Sequence, residues 1–171
     1  MIKISMGYPD FESQISILRD RHTENPLNRV APVIDREQLQ ALIQEAAKTL
    51  AAAGFDMEIV ERHHKLKCDA PSGTAIALGE SLNEAMDGQY HFVFDRSQRH
   101  EQRDPKEIGI SAVRGGTIVG NHEVIFAGPD EVVEFNHTAY SKAVFGKGAV
   151  EAAKFLAGKP AGMYDMSDVI G

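Results

Sequence analysis

The sequence predicts an α+β fold: a mixed, mostly open β-sheet of four or more strands with flanking helices, preceded by a small helical N-terminal segment. Three observations lead there. Short runs rich in Val, Ile and Phe, bounded by Gly, Pro and Asp turns, recur through the chain in the manner of strands. Apolar stripes at helical spacing are few, too few to cover both faces of that much sheet. Finally, 171 residues with 43% hydrophobic content supply one core, or one core with a small appendage.

The elements follow in chain order. Asp10 is placed to cap a first helix with Ser13 at its third position, and Phe11, Ile15 and Leu18 fall on one face. Residues 20–34, with Asn25-Pro26 and Ala31-Pro32, read as a loop. Asp35 and Gln38 have capping-box spacing and open a helix over 35–53. Its apolar stripe is Leu39, Leu42, Ile43, Ala46, Ala47 and Leu50, and Gly54 ends it as a C-cap. Met57 to Glu61 alternates apolar and polar as a half-buried strand does. Pro71 and Ser72 then start a helix over 74–86 with Ala75, Leu78, Leu82, Ala85 and Met86 on one face.

The remaining strands are His91–Phe94, Ile108–Val113, Ile118–Phe126 and Val132–Thr138, with turns at Gly115-Gly116 and Gly128-Pro129-Asp130. A last helix covers Ser141–Ala157. The densest basic region, Arg96 to Lys106, also holds Asp95, Glu101 and Asp104 and is expected to be a mobile, solvated loop.

Composition excludes several classes. The net charge of −7, from 18 bases against 25 acids, comes with no basic stripe, which argues against a nucleic-acid partner. A single cysteine, Cys68, rules out a disulfide within the chain and suits a reducing, cytoplasmic setting; it is read as a small buried side chain. No apolar run approaches the roughly 20 residues that span a bilayer, and the N-terminus lacks a signal-peptide core.

Most of the chemistry is concentrated at residues 61–75, Glu-Arg-His-His-Lys-Leu-Lys-Cys-Asp-Ala-Pro-Ser-Gly-Thr-Ala. Two imidazoles, His63 and His64, and the ammonium of Lys67 lie between a strand and a helix start. A helix N-terminus offers unpaired N–H groups and partial positive charge to an anion. A histidine titrating near neutral pH beside it makes an acid–anion site. Taken singly, Ser72 and Thr74 read equally as caps and the His pair as an exposed strand end. The complete string in this order is what argues for a site.

That string resembles the substrate-binding signature of dihydrodipicolinate reductase (4-hydroxy-tetrahydrodipicolinate reductase), Glu-x-His-His-x-x-Lys-x-Asp-Ala-Pro-Ser-Gly-Thr-Ala, with every fixed position present. Gly109–Gly116, Ile118–His122, His137–Lys142 and Gly162–Met166 extend the likeness from about residue 46 to the C-terminus. The resemblance implies NAD(P)H-dependent reduction of a cyclic dicarboxylate in lysine and diaminopimelate biosynthesis. It makes His63 the acid that protonates the substrate as hydride arrives, with Lys67 a second acid. It assigns the two carboxylates to His64, Lys67, Ser72, Gly73 and Thr74. Lys142 stands where the family has a basic residue, often arginine, and lacks that residue's bidentate fork. Asn136, His137 and Tyr140 line either the substrate cleft or an interface. The resemblance also implies a homotetramer in which four open sheets pack together.

The same family begins with a dinucleotide-binding domain carrying a glycine-rich turn, and no such turn is present here. Residues 2–18, with Gly7-Tyr8-Pro9-Asp10, resemble instead a fragment of a MoxR-type AAA+ ATPase covering about residues 1–45. Neither the phosphate-gripping loop nor the acidic Mg²⁺ strand accompanies it, so ATP hydrolysis does not carry over. The expectation is therefore a chimera. Residues 1–50 form a helical ATPase-like segment, joined within the helix 35–53 to a substrate-binding and oligomerisation domain over 51–171. No cofactor or metal is expected on this chain, and stand-alone turnover is not expected. The alternative is a non-catalytic oligomeric scaffold with an inherited dicarboxylate site.

Overall fold

A computed structural model describes residues 2–7, 36–164 and 166–170. The helix expected after Asp10 and the loop at 20–34 lie outside the described residues. The elements are β1 (Ile2–Gly7), α1 (Arg36–Leu50), β2 (Asp56–His63), α2 (Gly73–Ala85), β3 (His91–Phe94), β4 (Glu107–Arg114), β5 (Gly120–Ala127), β6 (Val132–Ala139), α3 (Ala143–Leu156) and α4 (Met166–Ile170). The strands form one mixed sheet in the order β1-β6-β5-β2-β4-β3. β5 runs antiparallel to both its neighbours, while β2, β4 and β3 are mutually parallel and β1 is parallel to β6. The α+β architecture with an open sheet is as the sequence predicts. Strand β1 was not anticipated, although Ile2, Ile4 and Met6 alternate with polar residues in the strand manner.

Helices α1 and α2 cover one face of the sheet. Leu39, Ile43 and Ala47 of α1 and Ala75, Leu78 and Leu82 of α2 meet Met57, Ile59, Ile108, Ile110, Val124 and Phe126 in a single core. Each large side chain buried completely there contributes about 1.5–3 kcal/mol relative to exposure. The two helices are also cross-linked by side chains, Gln40 Nε2 donating to the Ala77 carbonyl at 3.1 Å and Gln44 Nε2 to that of Ser81 at 3.4 Å. Gly54, at φ +87°, closes the turn after α1 as expected, and Phe55 N–H returns to the Leu50 carbonyl.

The opposite face carries Glu58, Val60 and Arg62 from β2 and is only partly covered. Along it, Arg62 donates to Asn121 and to Glu123 (2.8 Å), and Asn121 Nδ2 donates to Asn136 and Thr138 at 2.7 Å each. α3 has no buried residue, and Phe145, Val150 and Leu156 on it are exposed.

The segment between β3 and β4 is solvent-exposed along most of its length, as expected, but is anchored to the sheet at two arginines. A short 3₁₀ turn, Arg96–Gln98, opens it. Arg103 then anchors it to the sheet, donating to Glu58 (2.9 Å), Asp56 (2.7 Å) and the Met57 carbonyl (2.9 Å), and Arg96 pairs with buried Glu107. A guanidinium has five fixed donors, so one arginine can satisfy several acceptors that a mobile loop would leave to water.

Candidate active site

The period-2 alternation of β2 sends Met57, Ile59, Glu61 and His63 to the helix-covered face. The first two are core. The last two put a carboxylate and an imidazole where that core ends. The register continues the row, pairing Glu61 with His122 on β5 and His122 with His137 on β6, while His63 pairs with Arg114 on β4. Residues paired across a ladder share a face, so one end of the apolar core becomes a titratable cluster.

Glu61 is its centre and is wholly buried at 0% exposure. Arg114 reaches both carboxylate oxygens, at 2.8 and 2.6 Å. His63 Nδ1 lies 2.6 Å from Oε2, and the Ser72 N–H donates to Oε1 at 3.0 Å. Burial alone pushes a carboxyl up, but the bonds from Arg114, His63 and Ser72 outweigh it and hold Glu61 below its usual range. Arg114 is raised in turn, chiefly by its bonds to Glu61. An ionised carboxylate only accepts, so His63 must donate from Nδ1, which leaves Nε2 as its working nitrogen. Gly120 passes under that ring edge, where a Cβ would stand 3.2 Å from Nε2.

The turn into α2 is organised by Ser72. Its hydroxyl accepts from the Ala75 N–H at 3.2 Å and lies 3.0 Å from His122 Nε2. His122 is lowered to about 4, mainly by burial and next by the neighbouring His63, and so is neutral at physiological pH. His137 is also lowered by burial. With its hydroxyl engaged on both sides and its N–H given to Glu61, Ser72 serves the turn in this geometry. The first-turn amides of Gly73 and Thr74 follow it, Gly73 exposed and Thr74 half-buried.

Lys67 belongs to the loop between β2 and α2. Its ammonium contacts both Asp69 oxygens at 2.8 Å, and Arg114 also donates to the Asp69 carbonyl at 2.6 Å. Lys67 holds the Asp69 carboxyl below its ordinary range. His64, half-buried, starts the turn that the Lys67 N–H closes at 3.1 Å on the His64 carbonyl. Lys142 is exposed, three residues past β6, at the same end of the sheet as His63 and Gly120. Glu61 and Arg114 thus tie His63, Lys67 and the Ser72–Thr74 turn together, while His64 and Lys142 flank them.

A family model described as dihydrodipicolinate reductase, C-terminus, matches residues 37–170. The chain belongs to the dihydrodipicolinate reductase C-terminal family. The 4-hydroxy-tetrahydrodipicolinate reductase of Caldanaerobacter subterraneus subsp. tengcongensis is 48% identical over 160 residues, 93% of this chain and 63% of its own. That of Clostridium tetani is 38% identical over 167 residues, 97% of this chain and 64% of its own. The chain thus spans less than two thirds of the length of these relatives. Among solved structures, a dipicolinate-bound dihydrodipicolinate reductase from Paenisporosarcina sp. TG-14 aligns at 26% identity and a TM-score of 0.48, covering 67% of this chain and 44% of that one.

Within this reductase C-terminal family fold, sequence reasoning missed the parts that hold the site together. Glu61, Arg114 and His122 lie within the motif segments, but the sequence alone gives them no role. The available signal was a charged residue at an inward position of an alternating strand, which only a paired charge tolerates. Asn136 faces the sheet's open side and His137 the helix-covered side, while Tyr140 is exposed beyond β6. Cys68 is exposed rather than buried, because the loop at 64–71 projects beyond the sheet end, and neighbouring Leu66 is 78% exposed. Among the described residues no cluster of three or more His, Cys, Asp or Glu side chains is placed to hold a metal. No described helix is long and apolar enough to cross a membrane. A dinucleotide pyrophosphate needs a turn with several glycines between strand and helix. The turn into α2 holds one, Gly73, beside a cap already satisfied by Ser72, so that turn does not fit a dinucleotide pyrophosphate.

Proposed function

We propose that this chain is the substrate half of a dihydrodipicolinate reductase: it holds a cyclic dicarboxylate at the β2–α2 junction and gives it a proton from His63. The observation that carries this reading is the joint placement of His63, Lys67 and the α2 N-terminus around the buried Glu61–Arg114 pair. One carboxylate takes the first-turn N–H groups of Gly73 and Thr74, where the helix dipole favours negative charge. The other takes Lys67, with His64 and, from across the sheet end, Lys142 adding positive charge. In the free protein Lys67 pairs with Asp69, which is largely exposed. Water screens such an exposed pair, so exchanging Asp69 for a ligand carboxylate costs little.

His63 donates from Nε2 to the substrate as hydride reaches it, and Glu61 stabilises the imidazolium before transfer. Lys67 is the second acid. NAD(P)H, the hydride donor in the family, would supply the electron pair that accompanies the His63 proton. Orienting donor against substrate is worth about 7–11 kcal/mol, so turnover by this half alone is expected to be very weak. The exposed apolar side chains of α3 and the partly covered sheet face support assembly through that face, a homotetramer in a cytoplasmic setting.

A second reading makes the chain a chimeric, non-catalytic scaffold, with an ATPase-like piece over about residues 1–45. The aligned spans of 93% and 97% of the chain take in most of those residues, which favours continuous reductase ancestry. Calorimetric titration with pyridine-2,6-dicarboxylate tests the main reading. Saturable binding to the wild type, weakened at least about tenfold in Lys67→Ala by loss of a charge-assisted bond, is expected. Equal binding by both proteins, or none by the wild type, would contradict it.

A further inference from the structure

We propose that Glu61 is the positioning residue of this site, fixing which nitrogen of His63 carries the proton and, through Arg114, tying that acid to the anion-binding turn and the Lys67 loop. This rests on the dicarboxylate reading for its functional meaning, but its geometry stands independently.

One carboxylate touches three separate parts of the site. Oε2 takes His63 Nδ1 at 2.6 Å, Oε1 takes the Ser72 N–H at 3.0 Å, and both oxygens take Arg114. Arg114 passes the connection on to the Asp69 carbonyl at 2.6 Å, and Asp69 holds the Lys67 ammonium. Moving Glu61 therefore moves the acid, the helix start and the second cation together. A bidentate guanidinium–carboxylate pair is planar and directional, so it sets angles as well as distances. The arrangement matters because the proton must leave from Nε2. Without that bond, neutral His63 would also populate the Nε2-protonated form, whose free nitrogen faces away from the substrate side.

Glu61 is not the only charge facing the ring. Arg114 on β4, His122 on β5 with its ring centroid 5.1 Å away, His137 further along the same row, and Lys67 and Asp69 in the loop all lie on this side. Of these, Glu61 alone is an anion in direct contact with the imidazole. Arg114 offsets its charge while the carboxylate orients the His63 ring.

Nitrogen-15 NMR of the ligand-free chain tests this. In the wild type, neutral His63 is expected to carry its proton on Nδ1, and a proton on Nε2 would overturn the proposal without any variant being made. In Glu61→Gln the amide can either donate to or accept from Nδ1, so neutral His63 is expected to populate both tautomers. A folded variant that keeps the proton on Nδ1 alone would overturn it equally. If Glu61→Gln does not fold, the wild-type tautomer decides. Arg114→Lys, which keeps the charge and loses the fork, is expected to keep the tautomer and weaken pyridine-2,6-dicarboxylate binding; a switched tautomer, or binding as tight as the wild type's, would count against the proposed link. Failure of the wild type to bind the dicarboxylate, with the Nδ1 tautomer present, would refute the substrate assignment and leave the positioning role standing.

Discussion

Replacing His122 by Asn should flatten the acid limb of the stability curve. His122 is 6% exposed, between the Ser72 hydroxyl and the His63 ring, and its pKa is lowered from 6.5 to about 4. The unfolded chain therefore takes up a proton near pH 6.5 that the folded chain refuses until about pH 4. Stability attributable to this group is complete above the unfolded value and is lost as pH falls through that window. Integrating over the window, the wild type should lose about 2 kcal/mol at this site between about pH 7 and about pH 4.5. His137, lowered in the same direction, adds to the loss in both proteins. Glu61, held below the ordinary carboxylate value of 4.5, acts at still lower pH. Asn keeps an amide for the Ser72 hydroxyl and does not titrate. Urea unfolding at the two pH values, at constant ionic strength, measures the difference. The variant should be less stable than the wild type at neutral pH yet lose about 2 kcal/mol less on acidification. A variant that loses as much as the wild type would refute the assignment of a neutral, desolvated His122.

Other substitutions probe the frame. Ile59→Ala, at a fully buried position in the core, should cost about 3–4 kcal/mol in urea unfolding. Arg103→Ala removes the donors shared among Glu58, Asp56 and three carbonyls; because its carboxylate partners are partly exposed, about 2 kcal/mol is expected. A loss below about 0.5 kcal/mol would mean that the loop between β3 and β4 is not anchored. Gly54→Ala, at φ +87°, should cost about 1 kcal/mol and leave dicarboxylate binding unchanged.

The fold was legible where one periodicity was clear. Leu39, Ile43, Ala46, Ala47 and Leu50 of the predicted stripe, and the alternation from Met57 onward, lie in or against the core, because burial of those faces is local information; Leu42, read as part of the stripe, is exposed at its edge. What crosses strands was not legible. Register brings His122 to Glu61 and Arg114 to His63 from more than 50 positions away, and no local pattern encodes that pairing. The same reason explains the loop at 95–106. Most of its charges are solvated as read, but Arg103 meets Asp56 and Glu58 from about 45 positions away. The motif at 61–75 marks the residues of the candidate site but not how they bond to one another: the Ser72 hydroxyl caps α2, and Glu61, read as a strand residue, holds His63.

The central claim is a dicarboxylate site that spans the α2 N-terminus, Lys67 and His63. A crystal structure of the chain with pyridine-2,6-dicarboxylate tests it most directly. One carboxylate is predicted on the Gly73 and Thr74 amides and the other at Lys67, with the ring edge facing His63 Nε2. Density for the ligand elsewhere, with Lys67 still paired to Asp69, would contradict the account.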